Sequence, residues 1–391
     1  MSAQVIVVGA GPAGATCALH LAQAGMDVIL ADKSAPPRYK TCGGGIVGRA
    51  LPPTGTDPGP TVERRCHRLE LRLAGTPFEP AAPCEFEYTV ERLEPPVVMV
   101  MRSRFDARLV ESAVDAGAEL RTPLEVNDVE STGSGVLLTT SEGKLRATCV
   151  VGADGAASRV ARSAGWGPSK CAVPAIESEL TVDPAIFERF ARAARFDLGI
   201  VPHGYGWVFP KRDHLSVGCL TTAPGERSLP DLFETYLEAV GLGESLGRED
   251  HGYVIPTRPR DRRLARDRVL LVGDAAGLAD PVACEGITNA ICSGALAARA
   301  LVERREDPSG AARRYRQLLE REILPELRLA RRLAPLLYTY PRLRRFVFRR
   351  VGEALCEALT DLFVGTRTYR ELLTGMSTYK RLLGSLVRAR S

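Results

Sequence analysis

The segment at residues 5–33 constrains the fold more than any other part of the chain. It reads VIVVGAGPAGATCALHLAQAGMDVILADK, an apolar strand, a glycine-rich turn, a helix and a second apolar strand. The turn has the spacing Gly9-x-Gly11-x-x-Gly14, and Asp32 closes the second strand. Glycines at this spacing allow a tight turn and let a pyrophosphate approach the N–H groups and positive dipole end of the helix. An acid at this distance suits the ribose hydroxyls. The segment therefore predicts a Rossmann-type, dinucleotide-binding α/β domain.

The pattern of elements then changes, and the change predicts a discontinuous domain. Polar and apolar residues alternate in two later stretches, as is typical of antiparallel strands, and the last 80 residues read as helices. We predict a dinucleotide-binding domain from residues 1–66, 101–170 and 262–310, an antiparallel-sheet substrate domain from residues 67–100 and 171–261, and a basic helical C-terminal region at residues 311–391.

Charge is distributed unevenly. The net charge is +5, yet residues 311–391 hold 18 Lys and Arg against 7 Asp and Glu, so residues 1–310 carry about −6. In the C-terminal region Arg alternates with Leu, Phe and Tyr at near-helical spacing. Such helices either lie on an anionic membrane surface or form a subdomain with a solvated Arg face. We expect no nucleic-acid binding, because no reading motif or base-stacking pattern of aromatics is present.

Cysteine usage and hydropathy bear on location. The ten cysteines include no CxxC pair, and several lie in apolar runs, which favours a reduced cytoplasmic protein without a metal-ligand set. The N-terminus runs directly into a strand without a signal-peptide pattern, and no apolar stretch reaches the roughly 18–20 residues of a spanning helix. We expect a cytoplasmic protein, with membrane association left open.

Later motifs favour a flavin as the dinucleotide. LVGDAAG (271–277) reads as a buried strand that ends at Asp274, where an acid can bind the ribitol chain. A helix predicted to start near Gly286 would direct its positive end at the N1/O2 edge of a reduced flavin. VGADGAAS (151–158) is a further strand and turn, and Arg102 begins RSRFD before another helix.

Together these motifs resemble a known superfamily. GxGxxG, RxxFD, GADG and GDAAG resemble the flavoproteins that include p-hydroxybenzoate hydroxylase. KTCGGGI (40–46), GYGWVFP (204–210) and GDAAGxxDPxxxEGI resemble the geranylgeranyl reductase family, over roughly residues 1–300. The resemblance implies FAD contacts at Gly9, Gly11, Ala13, Gly14, Asp32, Cys42, Gly43, Gly45, Arg102, Val126 (through its backbone), Asp274, Gly286 and Ile287. Cys284 departs from the family's usual glycine, and its side chain would alter redox potential or substrate access.

The same resemblance suggests how the reactive region is built. TCGGGI would fold against the flavin, with glycines where any Cβ would clash with the ring. Cys42 would then lie near the reactive face as a proton donor, a residue that tunes the flavin or a packing thiol. Alternation places Tyr205, Trp207 and Phe209 on one strand face, either as an apolar wall for a long hydrocarbon or as ordinary core. We expect Lys211, just after this strand, to be solvated.

The expected activity is FAD-dependent saturation of C=C bonds in a geranylgeranyl or other polyprenyl chain of a lipid, chlorophyll-type or quinone substrate. Hydride would come from reduced flavin and the proton from Cys42 or water that it holds. No second GxGxxG is present, so NAD(P)H or a ferredoxin-like protein remain alternative electron donors. A monooxygenase or halogenase is the first rival, because GYGWVFP is close to the halogenase pattern GWxWxIP, although KTCGGG argues against it. A non-enzymatic, flavin-bearing membrane adaptor is the second.

Overall fold

The computed structural model describes residues 2–74, 84–223, 225 and 227–374. These residues form eighteen strands and eleven α-helices. The strands are β1 (Ser2–Val8), β2 (Val28–Ala31), β3 (Gly45–Val47), β4 (Val62–Cys66), β5 (Arg68–Ala74), β6 (Cys84–Glu91), β7 (Val97–Val100), β8 (Glu119–Arg121), β9 (Val126–Ser131), β10 (Val136–Thr140), β11 (Gly143–Gly152), β12 (Ala172–Thr181), β13 (Ala194–Leu198), β14 (Gly204–Pro210), β15 (Leu215–Thr221), β16 (Gly247–Pro256), β17 (Ala265–Arg266) and β18 (Val269–Leu271). The helices are α1 (Pro12–Gln23), α2 (Arg102–Asp115), α3 (Arg159–Ser163), α4 (Pro184–Phe190), α5 (Leu229–Val240), α6 (Gly273–Ala276), α7 (Ile287–Glu303), α8 (Pro308–Glu322), α9 (Leu324–Tyr338), α10 (Pro341–Val364) and α11 (Tyr369–Thr374).

The largest sheet is built on the two apolar strands of the opening segment. Its order is β17-β18-β11-β1-β2-β8, and all of its neighbours pair in parallel except β17 and β18. Strands β9 and β10 join β11 as an antiparallel meander. Continuous apolar runs such as VILA in β2 are buried, as expected for parallel strands covered on both faces. Helix α1 packs closely against α7. Glycine at position 294 allows this approach, because a Cβ there would overlap the carbonyl oxygen of Ala13.

A second sheet of seven strands has the order β16-β12-β15-β14-β13-β5-β6. Its pairs are antiparallel except β13 and β5, which run parallel. The predicted antiparallel strands are therefore present in a mixed sheet. Strand β7 pairs antiparallel with β3 and β4 in a separate three-stranded sheet. Residues 75–83 of the predicted stretch 67–100 lie outside the described residues.

The C-terminal helices brace both large sheets. The Tyr315 hydroxyl on α8 donates to the Leu271 carbonyl oxygen of β18 at 2.9 Å. On α10, Phe348 packs edge-on against Phe86 of β6, with ring centroids 5.3 Å apart. The predicted α/β class and the C-terminal helical region are confirmed, with residues 375–391 outside the described part of the chain, and the domain limits stay a prediction. No helix among the described residues combines the length and apolarity needed to cross a bilayer.

Candidate active site

The turn between β1 and α1 contains glycines of two kinds. Gly9 has φ +106°, and a Cβ there would overlap the Ala153 carbonyl oxygen; a Cβ on Gly14 would overlap that of Gly9. The protein's own packing therefore requires both glycines. Gly11 is different, because its φ of −79° suits any residue and the nearest atom to a Cβ would be Arg38 Nη2 at 3.7 Å. Space is thus kept open at the N-terminus of α1, which has no side-chain cap.

Asp32 holds this turn from the end of β2. Its Oδ2 accepts the Ala10 N–H at 2.7 Å and its Oδ1 accepts the Ser34 N–H at 2.9 Å. Arg38 Nη2 lies 3.7 Å from Oδ2. The carboxylate is nearly buried, at 8% exposure, so a polar ligand is the natural partner for its remaining lone pairs.

A cavity of about 690 Å³ lies between this turn and the second sheet. Every residue predicted to contact cofactor or substrate lines it except Gly14, which faces Gly9 inside the turn. The predicted residues come from distant parts of the sequence, so their convergence is a property of the fold. Their individual contacts with a cofactor stay predictions.

The far side of the cavity is formed by the segments after β18. Asp274 Oδ2 accepts the Tyr253 hydroxyl at 2.9 Å, and a Cβ on Gly286 would lie 3.1 Å from Asp274 Oδ1. Helix α7 begins at Ile287, and the Glu285 carboxylate accepts an N–H of its first turn at 2.7 Å. The N-terminus of α1, which has no side-chain cap, and that of α7, whose first turn is already served by Glu285, therefore line one cavity, where the helix dipoles favour negative charge.

Cys284 lies just before α7 and has φ +51°. This left-handed conformation costs a side chain about 1–2 kcal/mol, which explains why glycine suits the position. The residue is buried in the cavity wall, and burial raises the pKa of its thiol. The preceding residue, Ala283, accepts the Tyr205 hydroxyl at its carbonyl oxygen, at 2.6 Å.

The TCGGGI segment packs against the aromatic strand β14. A Cβ on Gly43 would lie 2.8 Å from Trp207 Nε1 and 2.9 Å from Phe209 Cδ2. Gly44 has φ +65°, and its Cβ would overlap the Val100 carbonyl oxygen. Close contact with the protein itself therefore already requires these glycines, whereas the sequence analysis attributed them to a cofactor ring.

Lys211 stabilises this loop, and the prediction that it is solvated was wrong. The side chain is fully buried, and Nζ donates to the Gly43 carbonyl oxygen at 2.6 Å and to that of Val100 at 3.0 Å. Burial lowers the pKa of the ammonium group, while the nearby Glu179 and Glu177 raise it. A single buried cation therefore serves two main-chain carbonyls, one in the loop and one at the end of β7.

Cys42 lies where the loop meets a charged cluster. Its Sγ accepts the Gly44 N–H at 3.4 Å, and the Arg102 side chain is hydrogen-bonded to it. Arg102 also donates to both oxygens of Asp106, at 2.8 and 2.9 Å. Burial alone would lower the pKa of Arg102, but the effect of Asp106 and Cys42 is larger, and the pKa is raised above its ordinary value. The guanidinium therefore stays charged beside the thiol.

Glu177 on β12 is a site residue that the sequence analysis missed. It is 1% exposed, lines the cavity and accepts the Cys42 N–H at 2.7 Å. The hydroxyls of Ser216 and Tyr39 also donate to it, at 3.1 and 3.4 Å. Burial, reinforced by Glu179, raises the pKa of Glu177 to about 7. In the sequence, Glu177 and Glu179 are two residues apart, a spacing that predicts one polar face of a strand. Such a face is ordinarily exposed to solvent, so the pattern gave no reason to expect a buried site residue.

The three aromatics of β14 form one continuous surface. The ring centroids of Tyr205 and Trp207 lie 6.0 Å apart and those of Trp207 and Phe209 6.2 Å apart. Phe196 and Phe363 extend the apolar wall of the cavity. Trp207 Nε1 is buried without a hydrogen-bond partner among the described residues. An orphan donor in a cavity wall fits a polar group on a bound molecule.

Known proteins match the chain over most of its length. A family model described as FAD binding domain covers residues 2–307. The chloroplastic geranylgeranyl diphosphate reductase of Arabidopsis thaliana is 31% identical over 99% of this chain and 85% of its own. Digeranylgeranylglycerophospholipid reductase 1 of Methanopyrus kandleri is 32% identical over 86% and 91% of the two chains. A menaquinone reductase of Mycolicibacterium smegmatis is 28% identical over 95% and 92%.

Solved structures share the fold. A geranylgeranyl bacteriochlorophyll reductase-like protein from Thermoplasma acidophilum superposes with a TM-score of 0.72 at 23% identity, covering 86% of this chain and 87% of its own. The halogenase PltM, solved with phloroglucinol and FAD, gives 0.71 at 16% identity, over 98% and 85%. These likenesses establish the architecture. The family model and the relatives matched over most of the chain show that it belongs to the geranylgeranyl reductase family of FAD-dependent oxidoreductases.

Proposed function

We propose that this protein saturates C=C bonds of a polyprenyl chain with hydride from reduced FAD and a proton supplied by the protein. One observation carries the proposal: a single cavity joins the N-termini of α1 and α7 to the Cys42 loop and the aromatic wall of β14. The names of the relatives support a geranylgeranyl chain or a polyprenyl quinone as the substrate.

The residues present fit FAD. Gly11 leaves space that packing does not require, and the α1 N-terminus beside it favours a pyrophosphate. Asp32 and Asp274 would hold the ribose and the ribitol hydroxyls, and Val126 the adenine through its backbone. The N-terminus of α7 at Gly286 would stabilise negative charge on the flavin edge. When bound and reduced, FAD supplies the hydride.

The protein must make an isolated alkene accept that hydride. Such a bond has no carbonyl to polarise it, so protonation of one carbon must accompany hydride addition at the other. The ring faces of Tyr205 and Trp207 would stabilise the positive charge that develops on the carbon that receives the hydride. Cys42, half-buried between Arg102 and Glu177, is the proposed proton donor. Phe209 and Phe196 would exclude water from the hydrocarbon.

A membrane surface is the proposed source of substrate. Three large apolar side chains, Tyr340, Leu343 and Phe346, are exposed at 55%, 48% and 54% at the start of α10, among exposed arginines. We call these three residues the α10 patch. It begins two residues after Tyr338, whose ring stacks on Tyr205 in the cavity wall with centroids 6.3 Å apart. Apolar and basic side chains together favour an anionic bilayer surface.

NAD(P)H and a ferredoxin-like protein both remain candidate electron donors.

Anaerobic turnover tests the function. The purified protein, loaded with FAD and reduced with dithionite, is mixed with geranylgeranyl diphosphate, a geranylgeranylated lipid or menaquinone, and the product masses are measured. Gains of two, four or six hydrogens support the proposal. Oxygen consumption in step with a hydroxylated or halogenated product would instead identify the monooxygenase or halogenase alternative. FAD and liposome binding without turnover of any lipid would identify the adaptor.

Cys42 is tested in the same assay. Cys42→Ala should keep FAD bound but slow product formation by about 10²-fold, the usual worth of a positioned proton donor. Cys84→Ala, at an exposed cysteine on β6 outside the cavity, is the matched control and should retain the wild-type rate. A wild-type rate for Cys42→Ala would remove the thiol from the mechanism.

A further inference from the structure

A line of ionisable groups runs from the surface of the second sheet to the cavity. His214 is 19% exposed at its side chain, and its Nε2 lies 3.1 Å from Glu179 Oε2. Its Nδ1 lies 2.7 Å from the exposed Asp213. Glu179 and Glu177 are two residues apart on β12, so they share one face, and each carboxyl group shifts the pKa of the other. The three side chains thus lie in sequence between solvent and cavity, and His214 must turn its Nε2–H toward Glu179 Oε2 to donate to it, because neither atom has a hydrogen-bond partner among the described residues.

The inner end of this line meets the proposed reaction site. Glu177 lines the cavity and accepts the Cys42 N–H at 2.7 Å. Ser216 and Tyr39 hold the same carboxyl group from two further elements. Glu177 is therefore positioned beside the residue proposed to give the proton to substrate.

The surrounding charges give the two carboxyl groups different roles. Burial raises the pKa of both, but His214, Lys211 and Glu177 bring that of Glu179 below its ordinary value. Burial and Glu179 hold the pKa of Glu177 at about 7, while Lys211 and the Cys42 N–H oppose the rise. Burial alone would lower the pKa of His214, but the effect of Glu179 and Asp213 is larger, so the pKa of the imidazole is raised above its ordinary value. A proton shared by the pair therefore resides on Glu177, nearest the cavity.

We propose that His214, Glu179 and Glu177 form a proton relay that delivers one solvent proton to Cys42 for each C=C bond reduced. The inference rests on the proposed function. The alkene takes a hydride from reduced FAD on one carbon and the Cys42 proton on the other. Glu177 then gives its proton to the Cys42 thiolate. Glu179 takes the proton of the His214 imidazolium and passes it to Glu177, and a proton from solvent restores the imidazolium. The relay carries protons only, so electrons balance within flavin and alkene.

Single-turnover kinetics test the relay. FAD-loaded protein is reduced with dithionite and mixed anaerobically with geranylgeranyl diphosphate, and flavin reoxidation and product mass are followed. Glu177→Gln should slow this step by about 10²-fold. His214→Gln should slow it by about tenfold, and added imidazole should restore it to within about twofold of wild type. Glu249→Gln, an exposed glutamate on β16 of the same sheet, is the control and should react at the wild-type rate.

A readout without turnover accompanies the kinetics. In the oxidised protein, the infrared carbonyl band of protonated Glu177 should disappear as the pH rises through about 7. The band should be absent from Glu177→Gln, and its midpoint should shift in His214→Gln. Titration of Glu177 at the ordinary value of 4.5, or the same midpoint in both proteins, would overturn the relay.

The remaining outcomes separate the relay from the proposed function. If wild type reduces the prenyl chain and Glu177→Gln reacts within about twofold of its rate, the function stands and the relay fails. If wild type reduces no prenyl substrate, the function fails, and the infrared midpoints alone decide on the coupling of His214 to Glu177. If Glu177→Gln loses FAD, His214→Gln decides: slowing that imidazole reverses supports the relay, and an unslowed variant refutes it.

Discussion

Replacing Gly11 with alanine should weaken cofactor binding while leaving the fold intact. The backbone there has φ −79°, which alanine adopts freely, and the added Cβ would meet only Arg38 Nη2 at 3.7 Å. Fewer accessible unfolded conformations should then stabilise the apoprotein by about 0.4–1 kcal/mol. At an unfolding entropy of about 2.1 cal/mol/K per residue, roughly 0.8 kcal/mol/K for this chain, Tm should rise by about 1 °C.

Cofactor affinity should change in the opposite direction. A methyl group in a space that the pyrophosphate fills should cost about 1–3 kcal/mol of overpacking, which weakens FAD binding by about 5- to 150-fold. Thermal unfolding of the apoprotein and a fluorescence titration with FAD give the two quantities. Gly133→Ala, at an open glycine outside the cavity, is the matched control and should leave FAD affinity unchanged. A Gly11→Ala variant that binds FAD as tightly as wild type would refute the assignment of this space to the cofactor.

Three further predictions concern the loop and the surface. Gly44→Ala should prevent stable folding, measured as loss of soluble protein and of cooperative unfolding, because φ is +65° and the Cβ would overlap a main-chain carbonyl oxygen; normal yield and Tm would contradict this. Lys211→Met should lower the free energy of unfolding by about 3 kcal/mol, or Tm by about 4 °C, because two buried carbonyls lose their donor; an unchanged Tm would show that the cation is dispensable. The double variant Leu343→Ser/Phe346→Ser should reduce co-sedimentation with vesicles containing phosphatidylserine, whereas Leu93→Ser, at an exposed leucine outside the α10 patch, should not; equal sedimentation of both variants would exclude the patch as the docking surface.

The parts of the site that depend on local geometry could be predicted from the sequence. Gly9 and Gly14 belong to a strand–turn–helix whose spacing is sufficient to specify the turn. Tyr205, Trp207 and Phe209 lie on one face of β14, as alternation predicted, because every second side chain of a strand points to the same face. In such cases the constraint lies within a few residues of the chain.

The parts that depend on distant partners could not be predicted. Lys211 is buried because two carbonyls, 168 and 111 residues away in sequence, lie beside it. Glu177 reaches the cavity because its strand, β12, pairs between β16 and β15 in a sheet whose order alternation does not reveal. The parallel pair of β5 and β13 likewise joins segments more than 100 residues apart. Long-range pairing decides these features, and a single sequence carries no local signal for it.

The placement of the two helix N-termini has a consequence for biosynthesis. Gly11 and Gly286 line the same cavity, yet β18 and α7 are translated long after β1 and α1. At about 5–20 residues per second, residue 287 follows residue 9 by roughly a quarter of a minute to a minute. Until then the nascent chain presents the Gly11 turn without the opposing wall. Flavin capture should therefore be a late event in translation, and chains that terminate before α7 should be released without cofactor.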